Sequence, residues 1–144
     1  MDAPQPDFVR ERRRKMRILS IVLGIVLVGA LVWLFRFWPE EHTADKFFGA
    51  LQKQDYETAY GVYFADPNWR QHPQQHSQYP YNEFYRDWGP GGEWGLIKNY
   101  KIEASGYCPG ASSGVIVQTI VNGRAERARV WVQKSDKTLS FPPC

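Results

Sequence analysis

The chain has 144 residues, enough for one small domain and an anchor but too few for two independent hydrophobic cores. Its net charge of +3 is unevenly distributed: residues 1–17 hold six Lys and Arg against three acidic residues, whereas residues 39–144 hold eleven against twelve. A nucleic-acid-binding domain is expected to carry basic side chains on its folded part, where they follow a phosphate backbone. The near-neutral charge of residues 39–144 therefore predicts that the chain does not bind nucleic acid.

An uncharged apolar segment, ILSIVLGIVLVGALVWLF, occupies residues 18–35. As an α-helix it would extend about 27 Å, close to the roughly 30 Å of a bilayer's hydrocarbon core. Trp33, Phe37 and Trp38 then match the aromatic residues that lie at membrane interfaces. We therefore predict a transmembrane helix over residues 18–38 that contacts the lipid bilayer.

A cleaved signal peptide is the main alternative, because it also has a basic start followed by an apolar run. The residues after the run, RFWP at 36–39, lack the small residues that signal peptidase requires. Basic residues beside an apolar run resist translocation, so residues 1–17 are expected to remain in the cytoplasm as a basic tail. Residues 39–144 are then the exported, periplasmic domain of a single-pass protein in the inner membrane or plasma membrane.

Both cysteines, Cys108 and Cys144, lie in the part predicted to be exported. They form no CxxC pair and have no metal-like spacing, and an even number of cysteines in an oxidising compartment favours a disulfide. We predict a bond between them. Two free thiols are the alternative, because a sequence does not give the distance between two residues.

Two short helices are predicted directly after the span. The first, ADKFFGALQKQ, has Thr43 as its expected N-cap, and the second, YETAYGVYF, has Asp55. Proline and glycine residues then break residues 66–95 into irregular structure, in which YPYNEFYRDW predicts one further short helix.

The last third of the chain has the β-branched and aromatic composition of strands. Four are predicted, at Leu96–Ser105, Ser113–Val121, Arg124–Lys134 and Thr138–Phe141. Asn122-Gly123 suits a two-residue hairpin turn, which would place Val117 opposite Ala128 and Val115 opposite Val130. The inward face of this hairpin is predicted to consist of Val115, Val117, Ala128 and Val130.

The opposite face of the hairpin is mixed, because Ile116, Ile120 and Trp131 alternate there with polar and charged residues. Such a face suits a protein partner or self-association through the three apolar side chains. The alternative is that arginine side chains lie over them in water.

Eleven aromatic residues fall between positions 56 and 94. They either cover a small core or form a ligand pocket or partner surface, because Tyr and Trp combine an apolar body with a polar group. The candidate binding residues are Tyr60, Tyr63, Trp69, Tyr81, Tyr85, Trp88 and Trp94.

A helical hairpin, an irregular connection and an antiparallel meander together indicate the α+β class. FFGALQKQDYETAY, followed by strands that end in RVWVQKSDKTLSF, resembles membrane-anchored bacterial members of the NTF2-like superfamily over residues 43–144. The resemblance implies a cone-shaped fold in which a helical hairpin packs on a curved antiparallel sheet. That superfamily includes isomerases, dehydratases and non-catalytic binding or assembly modules, so the resemblance leaves the activity open.

No catalytic or metal-binding motif is evident in the sequence. His72 and His76 have the i, i+4 spacing of a helical metal pair, but Pro73 interrupts it and no third ligand is apparent. We therefore predict no metal site, no cofactor and no assigned catalytic residue.

Two hypotheses for the function remain. The first is a non-catalytic exported module that binds a partner protein, an envelope component or a small ligand. The second is an isomerase or dehydratase with a carboxylate, such as Asp66, Glu83 or Asp87, inside the cone. An enzyme predicts a carboxylate in an enclosed cavity, whereas a binding module predicts a filled cone and an exposed aromatic patch.

Overall fold

The computed structural model describes residues 7–144. The chain divides into two compact units, and the boundary in the sequence lies between Arg36 and Phe37. The first unit contains one long helix. The second contains three α-helices packed on a four-stranded antiparallel sheet, which confirms the predicted α+β class.

Helix α1 spans Phe8–Leu34 and begins at Asp7, whose side chain accepts a hydrogen bond from the Arg10 backbone N–H. It therefore contains most of the basic segment as well as the apolar run, and residues 1–6 of the predicted tail lie outside the described residues. The helix is long and apolar enough to cross a membrane, and none of its apolar window is buried. These properties are compatible with a membrane or signal anchor.

The helices of the second unit are α2 (Trp38–Gln52), α3 (Tyr56–Tyr63) and α4 (Tyr81–Trp88), and two 3-10 helices lie between α3 and α4 at Trp69–Gln71 and Pro73–His76. The prediction that Thr43 caps α2 is wrong. This helix starts earlier because Pro39 occupies its first turn, where the missing N–H costs nothing. Asp55 is the N-cap of α3 as predicted, and its carboxylate accepts a 3.2 Å hydrogen bond from the Thr58 N–H.

The sheet is a meander of four strands, β1 (Tyr100–Cys108), β2 (Ala111–Val121), β3 (Arg127–Gln133) and β4 (Leu139–Ser140), paired in that order. Strand β1 begins later than predicted. The backbone just before it forms hydrogen bonds with the Asn122 side chain instead of pairing with a strand. Asn122 Oδ1 accepts from the backbone N–H groups of Lys98 and Asn99, and the Asn122 side-chain amide donates to the Leu96 carbonyl.

The predicted register of the central hairpin is wrong by two residues. Val117 lies opposite Val130 instead of Ala128, and Val115 lies opposite Val132. A shift of two residues leaves every side chain on its predicted face, since side chains alternate along a strand. The predicted inward residues are accordingly all buried, with Val115, Val117 and Ala128 fully inaccessible.

The connection between β2 and β3 explains the shift. Asn122 and Gly123 both have positive φ and form the expected tight turn, but strand pairing resumes only at Arg127. The Arg127 guanidinium donates hydrogen bonds to the carbonyls of Arg124 and Ala125 at 3.1 and 2.7 Å. These bonds stabilise a longer loop than a two-residue hairpin contains.

The core lies between the inward face of the sheet and aromatic side chains from all three helices of the second unit. Phe47 is fully buried at its centre. Its ring contacts the rings of Phe48, Tyr63, Phe84 and Trp88, with centroids 5.0–6.1 Å apart. Three of these four pairs are edge-to-face, an arrangement that stabilises a core beyond the area that it buries.

The outer face of the sheet carries a second, smaller cluster around the disulfide between Cys108 and Cys144. The two cysteines are separated by 36 positions in the sequence. A disulfide that closes a loop of this length lowers the entropy of the unfolded chain and so stabilises the fold by roughly 3–4 kcal/mol. Ile116 and Trp131 belong to this cluster and are each only 6% exposed. Two of the three apolar side chains predicted to contact a partner are therefore covered within the unit, and Ile120 is half-buried.

Substitution of Gly114 by alanine is expected to lower the free energy of unfolding by about 1–3 kcal/mol, the usual cost of overpacking. A Cβ at this position would lie 2.3 Å from Trp131 Cε2, so the indole ring would have to move. Gly106 on the neighbouring strand is the matched control, because a Cβ there meets nothing within 4 Å. Urea unfolding of the full chain in detergent, followed by near-ultraviolet circular dichroism, compares the two variants. Equal unfolding midpoints for Gly114→Ala and Gly106→Ala would refute this packing.

Candidate functional site

A carboxylate and two imidazoles come together in the connection between α3 and α4. Asp66, His72 and His76 each offer a ligand atom, and these atoms all lie within 4.8 Å of one another. His76 Nε2 is 2.8 Å from Asp66 Oδ2, and His72 Nε2 contacts the same oxygen. Within residues 7–144 no other group of three His, Cys, Asp or Glu side chains is arranged in this way. We call these three residues the His–Asp cluster.

The backbone around the cluster is fixed by short-range hydrogen bonds. Ala65 has a positive φ of 50° and turns the chain at the end of α3. The Asp66 N–H then donates to the Gly61 carbonyl at 2.8 Å, and the Asp66 carbonyl accepts from the Trp69 N–H at 3.3 Å. These bonds place the Asp66 carboxylate beside the 3-10 helices that follow.

Pro73 has a role that the sequence analysis did not anticipate. It occupies the first turn of the second 3-10 helix, where a proline is well tolerated, so His72 precedes that helix and His76 ends it. The two imidazoles meet without lying on one face of an α-helix. The third member, Asp66, lies six residues before His72 in the sequence and so falls outside the i, i+4 spacing of a helical metal pair.

Aromatic packing fixes the orientation of His76. Its ring stacks on Phe64 with centroids 4.3 Å apart and lies perpendicular to Tyr60 at 6.1 Å. The His76 side chain is 12% exposed and that of Asp66 is 17% exposed, whereas the His72 side chain is 34% exposed. The cluster thus has two held groups and one more accessible imidazole at its rim.

The electrostatics of the cluster favour an ionised carboxylate. The hydrogen bond from His76 lowers the pKa of Asp66, and the His72 contact lowers it further, against an opposing effect of burial. The ionised carboxylate is the negatively charged group of the cluster. A carboxylate oxygen and two imidazole nitrogens are typical ligands of a transition-metal cation.

The seven aromatic residues predicted to bind a ligand separate into two groups. Tyr60, Tyr63, Trp88 and Trp94 are buried, each 9% exposed or less. Trp69 and Tyr81 are half-buried, and Tyr85 is exposed. The Trp69 and Tyr81 rings stack at 5.2 Å, and the Tyr85 ring follows 6.2 Å from Tyr81. We call Trp69, Tyr81 and Tyr85 the aromatic ledge.

The carboxylates proposed for an enzyme lie at the surface of the unit. Asp66, Glu83 and Asp87 are all partly exposed. Asp87 accepts a 2.7 Å hydrogen bond from the Tyr79 hydroxyl, and burial together with this bond raises the pKa of Tyr79. Within residues 7–144 the one buried carboxylate is Glu40, in the first turn of α2.

Comparisons with protein-family models, curated proteins and solved structures find no match to this chain. Its function is therefore inferred from its own residues.

Replacement of Tyr60 by phenylalanine is expected to lower the free energy of unfolding by about 1 kcal/mol. The Tyr60 hydroxyl is buried and donates a 2.7 Å hydrogen bond to the Tyr79 carbonyl, which would lose this donor. Tyr85→Phe is the matched control, because that residue is exposed. Thermal or urea unfolding of the full chain measures both. A loss no larger for Tyr60→Phe than for Tyr85→Phe would contradict a stabilising role for this bond.

Proposed function

We propose that this chain is a single-pass membrane protein that holds a non-catalytic, NTF2-like binding domain outside the cytoplasm. Helix α1 anchors the chain in the membrane with its N-terminus in the cytoplasm, and the surface of the second unit recognises a protein partner.

The filled interior of the second unit is the observation that supports a non-catalytic function. An isomerase of the cone type needs space and an acid or base inside its apolar cavity. Here Phe47, Phe48 and Phe84 fill the space between helices and sheet with no exposure at all. Asp66, Glu83 and Asp87 lie outside that space, so the arrangement favours binding over catalysis.

Two independent features support export of the second unit. Six basic residues precede the apolar run, and such residues remain on the cytoplasmic side. Cys108 and Cys144 are joined, and disulfides persist in oxidising compartments outside the cytoplasm. Each feature favours the same direction of insertion.

The aromatic ledge is the surface that best suits a protein partner. Tyr, Trp and Arg are the residues enriched at the energetic centres of protein interfaces. Arg70 lies over the Trp69 ring at 5.4 Å and so extends the ledge with a cation. The outer sheet face offers less apolar surface, because Ile116 and Trp131 are buried there.

Export predicts that a reporter enzyme active only outside the cytoplasm is active when fused behind Cys144. The same reporter fused behind Arg17, ahead of the apolar run, is expected to be inactive, which makes it the matched control. The full-length chain is also expected to stay in the membrane fraction with its N-terminus intact, since the residues after the apolar run lack a cleavage site. Reporter activity only behind Arg17 would overturn the orientation, and a shortened soluble product would indicate a cleaved signal peptide.

Binding at the ledge predicts site-specific crosslinking in cells. A photoreactive phenylalanine analogue at Tyr85 should give a discrete adduct that is lost when Trp69→Ala is added. Tyr107 is the matched control, because it is a tyrosine of similar exposure, 49% against 44%, on strand β1. Identical adducts at both positions, or an adduct at Tyr85 that persists in the Trp69→Ala background, would exclude the ledge as the binding surface.

A further inference from the structure

We propose that Asp66, His72 and His76 bind a divalent transition-metal ion, with Zn²⁺ the cation that fits best. The site adjoins the aromatic ledge, because the Trp69 N–H donates to the Asp66 carbonyl, but it shares no ligand with the ledge and does not depend on the proposed binding function.

The donor atoms already face a common point. Both imidazoles direct Nε2 at Asp66 Oδ2, and Nε2 is an ordinary coordinating atom of neutral histidine. When the ion binds, each Nε2 that donates to the carboxylate gives up its proton, either to solvent or by a shift to the tautomer protonated at Nδ1. In a tetrahedral zinc site, bonds of about 2.0–2.1 Å separate neighbouring ligand atoms by roughly 3.3 Å. The His76–Asp66 distance of 2.8 Å therefore has to open by only about half an ångström, and rotation of the more exposed His72 can supply most of the remaining adjustment.

The chemistry of the donors selects the class of cation. Two imidazoles with one carboxylate suit Zn²⁺ and its transition-metal neighbours, whereas Mg²⁺ and Ca²⁺ prefer six or more oxygen ligands. The Asp66 carboxylate attracts the ion, and Arg70, the basic residue between Asp66 and His72, is engaged by Glu57. Cysteine ligands are excluded within the exported unit, because both cysteines are in the disulfide.

The surroundings hold the ligands in place. Phe64 and Tyr60 fix the His76 ring, and backbone bonds to Gly61 and Trp69 fix Asp66. Preorganised ligands lose less conformational entropy when the ion binds. Three protein ligands leave one position of a tetrahedral ion for water or another group.

There is room for such a group beside the cluster. A groove of about 560 Å³, which His76 lines together with Phe64 and Tyr79, is open to solvent on that side. Asp66 and His72 do not line this groove, but the His72 side chain is 34% exposed, so the ion would be reachable from solvent.

The test uses the full chain in detergent, stripped of metal with a chelator and titrated with Zn²⁺ by calorimetry and with Co²⁺ by visible absorption. We expect one Zn²⁺ per chain and the absorption bands of four-coordinate Co²⁺. Loss of an outer-shell partner costs about 10–100-fold in metal affinity, so His72→Ala and His76→Ala, which remove ligands, should each weaken binding by at least about 100-fold. Mg²⁺ at the same concentration should give no response.

Two variants separate coordination from a structural effect. His42→Ala removes the third histidine of the chain, which is exposed on α2 and stacks on Trp38, and should leave the affinity unchanged. Asp66→Asn keeps the size of the side chain but removes its charge, and should weaken Zn²⁺ binding while the chain remains folded by circular dichroism. The proposal is overturned if wild-type protein binds no Zn²⁺, or if the His72→Ala/His76→Ala double variant binds it as tightly as wild type.

Discussion

The contact between the valine face of the central hairpin and the aromatic side chains of the helices is the interaction on which the second unit depends. It fills the space between helices and sheet and buries Tyr60 and Phe84. Tyr60 also contacts the irregular connection, since its ring forms T-shaped pairs with Phe64 and His76 and its hydroxyl donates a hydrogen bond to the Tyr79 carbonyl. The irregular connection between α3 and α4 is therefore ordered by the same core that joins the helices to the sheet.

Local sequence patterns correctly predicted the parts of the fold that depend on one buried face or one capping residue. The alternation of Val115 and Val117 identified the buried face of the sheet, and the position of Asp55 identified the start of α3. The register of the hairpin was not predictable in this way. It depends on the Arg127 guanidinium, which donates hydrogen bonds to carbonyls two and three residues earlier in the chain. The residue preferences of a two-residue turn do not include a side chain that lies outside the turn.

The candidate site shows the same limit more clearly. The spacing of His72 and His76 indicates a metal pair only on an α-helix, which Pro73 disfavours, whereas Pro73 is compatible with the 3-10 helix that forms there. Asp66 joins them because Ala65, a residue other than glycine, adopts a positive φ. Such a conformation is uncommon and is stabilised by the surrounding packing, which a local sequence pattern does not encode.

The proposed export and the proposed metal site constrain each other in the second unit. Thiolates bind zinc tightly, but they are oxidised readily in an oxidising compartment. In this unit both cysteines, Cys108 and Cys144, are joined in a disulfide. Imidazole and carboxylate ligands do not undergo this oxidation. A site built from Asp66, His72 and His76 would therefore keep its ligands in the compartment where the disulfide forms, and the two features would operate side by side in one small domain.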